Sequence, residues 1–102
     1  MTKTTEQIVE AFFNGNYKKI GNSHVETVNG EGDYLCLHGN RIARRLDNAV
    51  YLNHCGWETS TTKERLNGVL EYLGCSDDRI YQAKGVWYWK GKEEFLPGWN
   101  EV

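Results

Sequence analysis

Proline occurs once in 102 residues, and no apolar run approaches the roughly 20 residues that a membrane-spanning helix needs. With 39% hydrophobic and 25% charged residues, so little proline marks globular composition, neither a disordered tail nor a fibre. A surplus of basic charge is also missing. Twelve Lys and Arg stand against fourteen Asp and Glu, a formal net charge of -2. That excludes a strongly basic nucleic-acid binder and a heavily acidic DNA mimic. The opening residues, MTKTTEQIVEAFFNG, lack the basic, apolar and small-residue regions of an export signal. The expectation is a soluble, intracellular protein with no membrane partner. Cys36, Cys55 and Cys75 are odd in number and irregularly spaced, so they read as free thiols. No nucleophile elbow, acid–base signature or glycine-rich phosphate loop is present, which predicts a non-enzyme without a cofactor.

What the chain has in excess is aromatic: 13%, including four Trp and six Tyr, together with eleven Gly. One domain of this length buries about 60–65% of its unfolded surface, so its stability is modest. A homo-oligomer would add buried area, but no feature of the sequence demands one.

Residues 4–14 read as a helix with Ile8, Val9, Phe12 and Phe13 on one stripe, capped by Thr4 or Thr5 and stopped at Asn14-Gly15. It reads as an accessory, because the period-two pattern that follows looks complete without it. Strands are predicted at 17–20, 24–28, 33–38, 41–46 and 49–54, with turns at Asn29-Gly30-Glu31-Gly32 and Asp47-Asn48. A helix over 60–73 carries Leu66, Val69, Leu70 and Leu73 on its apolar stripe, with a capping box from Thr61 to Glu64. Gly68 inside it marks a close approach to the sheet. Strands at 79–84, 86–90 and 93–96 complete the chain. The fold class is α+β over residues 1–102 as a single domain: a small antiparallel sheet of about five to seven short strands, one helix packed on a face, and the N-terminal accessory helix.

Three segments resemble a known family. They are Leu37-His38-Gly39-Asn40-Arg41-Ile42-Ala43, then Gly56-Trp57-Glu58-Thr59-Ser60-Thr61-Thr62-Lys63-Glu64-Arg65-Leu66-Asn67, then Gly85-Val86-Trp87-Tyr88. An LHGNxIA-like strand followed by a GWxTxTTxxRLN-like segment and a short aromatic strand is similar to a family of short bacteriophage-encoded proteins. The resemblance covers about residues 22–102. It implies a phage origin and a place in the host cytoplasm, and it carries over no activity and no site residues.

Trp57, Thr59, Ser60, Thr61, Thr62, Lys63 and Arg65 form the densest chemistry. Hydroxyls and cations at a helix N-terminus hold a phosphate through free N–H groups and the helix dipole. The alternative is that the hydroxyls merely cap, Trp57 is core and Arg65 is a scaffold ion pair. A second candidate interleaves aromatic and basic residues: Arg41, Arg44 and Arg45 on one segment, Trp87 and Trp89 on another. Exposed rings beside cations stack and track single-stranded nucleic acid. The alternative buries one face as core. A zinc set of Cys36, His38, His54 and Cys55 lacks ligand spacing, so no metal is expected. The resulting expectation is a binding module for a nucleotide or short nucleic acid, acting in host takeover or counter-defence. The competing one is an inhibitor that docks on a host protein through exposed aromatics, since aromatic and Arg enrichment serves protein interfaces equally well.

Overall fold

The computed structural model describes residues 1–102. Helix α1 spans Lys3–Asn14. Strands β1 (Lys18–Ile20), β2 (Ser23–Val28), β3 (Gly32–Leu37), β4 (Asn40–Leu46) and β5 (Ala49–Leu52) follow as an antiparallel meander. Helix α2 spans Ser60–Tyr72, and a short 3-10 turn covers Ser76–Asp78. Strands β6 (Tyr81–Ala83), β7 (Val86–Trp89) and β8 (Glu93–Glu94) form a separate three-stranded sheet. Strand β9 (Asn100–Glu101) returns to pair with β5, giving a six-stranded sheet of order β1-β2-β3-β4-β5-β9. The α+β class and the N-terminal helix agree with the sequence reading, while the late strands form a second sheet instead of extending the first.

The N-terminal helix is not an accessory. Ile8, Val9 and Phe12 are fully buried and belong to one core with Val25, Leu35, Leu37, Ile42, Leu52, Leu66, Val69, Leu70, Ile80, Trp87 and Phe95. An amphipathic stripe of this strength needs a partner, and α1 finds it in α2 and in strands β1 to β3. Its cap is Thr2, whose hydroxyl accepts the Thr5 N–H at 3.2 Å, not Thr4 or Thr5. Helix α2 likewise starts earlier than its TTKE pattern suggests. Thr59 is the cap, accepting the Thr62 N–H at 3.2 Å. Glu64, freed from capping, reaches α1 instead and accepts the Thr2 N–H at 3.0 Å.

Both helices end as their glycines predict. At the end of α2 the Cys75 N–H bonds to Leu70 C=O (2.8 Å) and the Gly74 N–H to Glu71 C=O (3.0 Å), with Gly74 at φ 76°. The end of α1 repeats the pattern around Gly15, at φ 68°. Such paired bonds satisfy carbonyls that the helix leaves open, and they need a residue tolerant of left-handed backbone. The side chain of Asn67 then fastens the second sheet to α2. It accepts the Ile80 N–H (2.6 Å) and donates to the Ile80 C=O (2.9 Å).

Candidate functional site

Trp57 lies in the loop between β5 and α2. That loop is fixed by its own side chains. Asn53 Oδ1 accepts the Cys55 N–H (2.8 Å), His54 Nδ1 accepts the Gly56 N–H (2.9 Å), and the Trp57 N–H bonds to His54 C=O (2.8 Å). The indole is 52% exposed and stands over the β3–β4 hairpin. The hairpin turns at His38-Gly39, both in left-handed backbone (φ 52° and 79°), the conformation of a tight two-residue β-turn. This brings the His38 ring to 6.4 Å from the indole, tilted by 34°. Between them and the start of α2 lies a cleft of about 560 Å³, lined by Leu37, His38, Asn40, Ile42, Trp57 and the threonines 59, 61 and 62.

No carboxylate, lysine or arginine lines this cleft. Its walls are an indole, an imidazole, two aliphatic side chains, an amide and hydroxyls. Such a mixture suits a flat, neutral ring with hydrogen-bonding edges. Thr59 and Thr62 are engaged with each other, their hydroxyls 3.0 Å apart, and Thr62 is fully buried. Thr61 is exposed at the rim. His38, Asn40 and Leu37 enter the site from a hairpin remote in sequence. The local pattern of residues 57–62 carries no signal of that partner.

The rest of the predicted phosphate segment points elsewhere. Ser60 and Lys63 line a different cleft of about 510 Å³, with Asn67, Glu71, Arg79 and Tyr81. Lys63 Nζ also lies 5.6 Å from the centre of the Trp87 ring. Arg65 is turned inward, with its Nε and Nη1 engaged. It donates to Ser23 Oγ (3.1 Å), Thr5 Oγ1 (2.6 Å) and Glu64 Oε1 (2.8 Å), tying α2 to α1 and β2. Arg65 is thus the scaffold ion pair of the alternative reading.

The three arginines of β4 divide between the two faces of the sheet. A bulge between Leu35 and Cys36 shifts the β3–β4 register, so Arg41 pairs with Cys36 and Arg44 with Tyr34. Extra residues of this kind re-aim the side chains that follow. Arg41 and Arg44 therefore share the outer face, away from the helices. Their guanidinium carbons lie 4.2 Å and 5.8 Å from the centre of the Tyr34 ring, within cation–π range. Trp99 flanks the same ring at 6.3 Å and is 43% exposed. Tyr34 donates to Glu31 Oε1 (2.7 Å), and this bond, with burial, raises its pKa above the usual phenol value. Arg41 donates to Glu26 Oε1 (3.0 Å), and that bond lowers the Glu26 pKa. Arg45 faces inward, where it bonds to Asp33 Oδ2 (2.6 Å) beside the end of α1.

Trp87 and Trp89 share one face of β7, as the alternation predicts, but that face is the core. They are 2% and 6% exposed, packed on Phe95, with His54 edge-on to Trp87. They offer no stacking platform, because the second sheet is too small to cover a core without both rings. The cysteine–histidine set Cys36, His38, His54 and Cys55 is not gathered either. His38 faces Trp57, and His54 is buried against Trp87 and Phe95. No helix is long and apolar enough to cross a membrane.

No curated protein and no solved structure matches the chain. The profile of the Kyanoviridae Gp96 protein family matches residues 1–101. That span takes in α1 as well as the 22–102 stretch that carries the sequence resemblance, in keeping with the place of α1 in the core. The chain belongs to the phage-encoded Kyanoviridae Gp96 protein family.

Proposed function

We propose that the protein is a non-enzymatic binding module that holds a nucleotide, or one base of a short single-stranded nucleic acid, in the Trp57 cleft. The observation that carries this reading is the half-exposed indole of Trp57 on a cleft of about 560 Å³ whose other walls supply hydroxyls, an amide and the His38 ring. Stacking on an indole is sequence-tolerant and worth about 1–3 kcal/mol per base. The N–H groups of Ser60 and Thr61, at the open end of α2, take no partner from the chain and lie at the positive end of the helix. A phosphate attached to the stacked base would find them at the rim. In a phage protein such a module serves to regulate nucleic-acid processing or to sequester a host defence signal.

The test is a fluorescence titration of the full chain with mononucleotides, cyclic nucleotides and short oligonucleotides at low salt. The reading expects saturable quenching and, because replacing Trp57 also removes the reporting indole, a calorimetric affinity that Trp57→Phe weakens and Trp57→Ala abolishes, with the melting temperature nearly unchanged. No Trp57-dependent change at near-millimolar ligand would overturn it.

A second reading is favoured by a different feature. Trp99 is exposed beside the Arg44–Tyr34 pair, and Leu96, three residues earlier, is exposed as well. An aromatic–arginine surface of this kind suits a protein partner. Salt-insensitive binding of one host protein, lost in Trp99→Ala and kept in Trp57→Ala, would select that reading instead.

A further inference from the structure

We propose that His24, Glu26 and Cys36 form a site for one divalent transition-metal ion of the zinc class on the outer face of the six-stranded sheet. The β2–β3 register sets His24 directly opposite Cys36, and Glu26 lies two residues along β2 on the same face. One nitrogen, one oxygen and one sulfur donor all lie within 4.8 Å of one another. Cys36 Sγ is 3.4 Å from Glu26 Oε1, and His24 Nε2 is 3.9 Å from Glu26 Oε2. In a tetrahedral site with metal–ligand bonds of about 2.0–2.3 Å, the donor atoms sit roughly 3.3–3.8 Å apart. The Cys36–Glu26 separation falls within that range and the His24–Glu26 separation just above it, each to a different oxygen of Glu26, so the side chains must rotate to bring one carboxylate oxygen to an ion.

The chemistry of the donors selects the ion. Imidazole, carboxylate and thiolate together suit zinc or cobalt, whereas magnesium and calcium take oxygen ligands throughout. Binding replaces the Cys36 thiol proton, which leaves to solvent, while His24 binds as the neutral imidazole. Three protein ligands leave one tetrahedral position open. The His24 and Glu26 side chains are 27% and 35% exposed, so that position is reached from solvent. Arg41 is the opposing influence, because its guanidinium donates to Glu26 Oε1. Its charge weakens the attraction for a dication. Glu31 Oε1, 3.7 Å from Arg41 Nη1, offers that charge a second carboxylate. With Glu26 Oε2, the oxygen nearer His24, turned to the ion, Arg41 keeps its bond to Oε1, as outer-shell donors do.

The full chain, freed of metal by chelator, is titrated with cobalt(II) and then with zinc. The expected result is one equivalent of cobalt with a thiolate-to-metal charge-transfer band in the near ultraviolet, bleached when zinc displaces it. Cys36→Ser should lose the band, whereas Cys55→Ser and Cys75→Ser should keep it. His24→Gln and Glu26→Gln should each raise the Kd for cobalt by more than about tenfold. Absence of the band at millimolar cobalt, or its survival in Cys36→Ser, would overturn the assignment. Should Cys36→Ser fail to fold, the partly exposed His24 decides: an unchanged Kd in His24→Gln overturns the site.

Discussion

Gly68 sits where α2 crosses α1. A β-carbon there would overlap the Thr5 methyl and press within 3.3 Å of Val9 Cγ2 and Met1 Sδ. The close approach expected of this glycine is therefore to the other helix, not to the sheet. Thr5 cannot swing aside cheaply. Its hydroxyl accepts from Arg65 and donates to Glu64, and the residue is fully buried. Glycine inside a helix costs about 1 kcal/mol relative to alanine, so propensity alone favours Gly68→Ala. Overpacking costs about 1–3 kcal/mol and comes on top of a broken buried bond. The net prediction is destabilisation by about 1–2 kcal/mol in urea unfolding, the balance of those opposing effects. A variant as stable as the parent would show that the helices part readily.

At the scale of elements, the Glu64 carboxylate adds to the Arg65 bond and the apolar packing that join α1 and α2. Burial pushes the Glu64 pKa up, but bonds from Thr5 and Thr2 and the charge of Arg65 outweigh it, and the net shift is downward. A carboxyl whose folded pKa lies below its unfolded value stabilises the fold above the unfolded pKa. That contribution disappears as pH falls through the folded value. Glu64→Gln should therefore unfold at lower denaturant concentration near neutrality, and its stability should fall less steeply between about pH 5 and pH 3. Parallel acid limbs for parent and variant would disprove the role. The same elements show what the chain makes legible. Leu66, Val69 and Leu70 announce α2 because a helix repeats its buried face every three to four residues. Val50 and Leu52 announce β5 by strict alternation. The bulge at Leu35/Cys36 leaves no such trace, and it alone puts Arg41 and Arg44 on one face. Thr59 and Thr61 both fit a capping position, and only the tertiary demand on Glu64 decides between them. The two residues of β9 are too short to carry any period.

For the whole molecule, stability depends on a core assembled from distant parts of the chain. Phe12 from the first helix lies in one cluster with Trp87 and Phe95 from the second sheet. Phe-to-Ala changes at such positions cost about 3–5 kcal/mol, a large share of the 5–15 kcal/mol typical of a domain. Phe12→Ala should lose that much in a denaturant titration followed by circular dichroism. A loss below about 1 kcal/mol would place α1 outside the core after all. The residues of the Trp57 cleft are legible only where their chemistry is local. Trp57 and the following hydroxyls stand out in sequence, whereas His38 meets them because β3 and β4 carry it across the molecule.

The rims of the six-stranded sheet are narrow. One is β1, three residues long with Lys18 and Lys19 exposed, and the other is the two-residue β9. A neighbouring chain seeking to continue the ladder finds few vacant amides and meets ammonium groups at one border. This sheet is thus poorly suited to growth by added strands, and contacts made through it are expected face to face, through side chains.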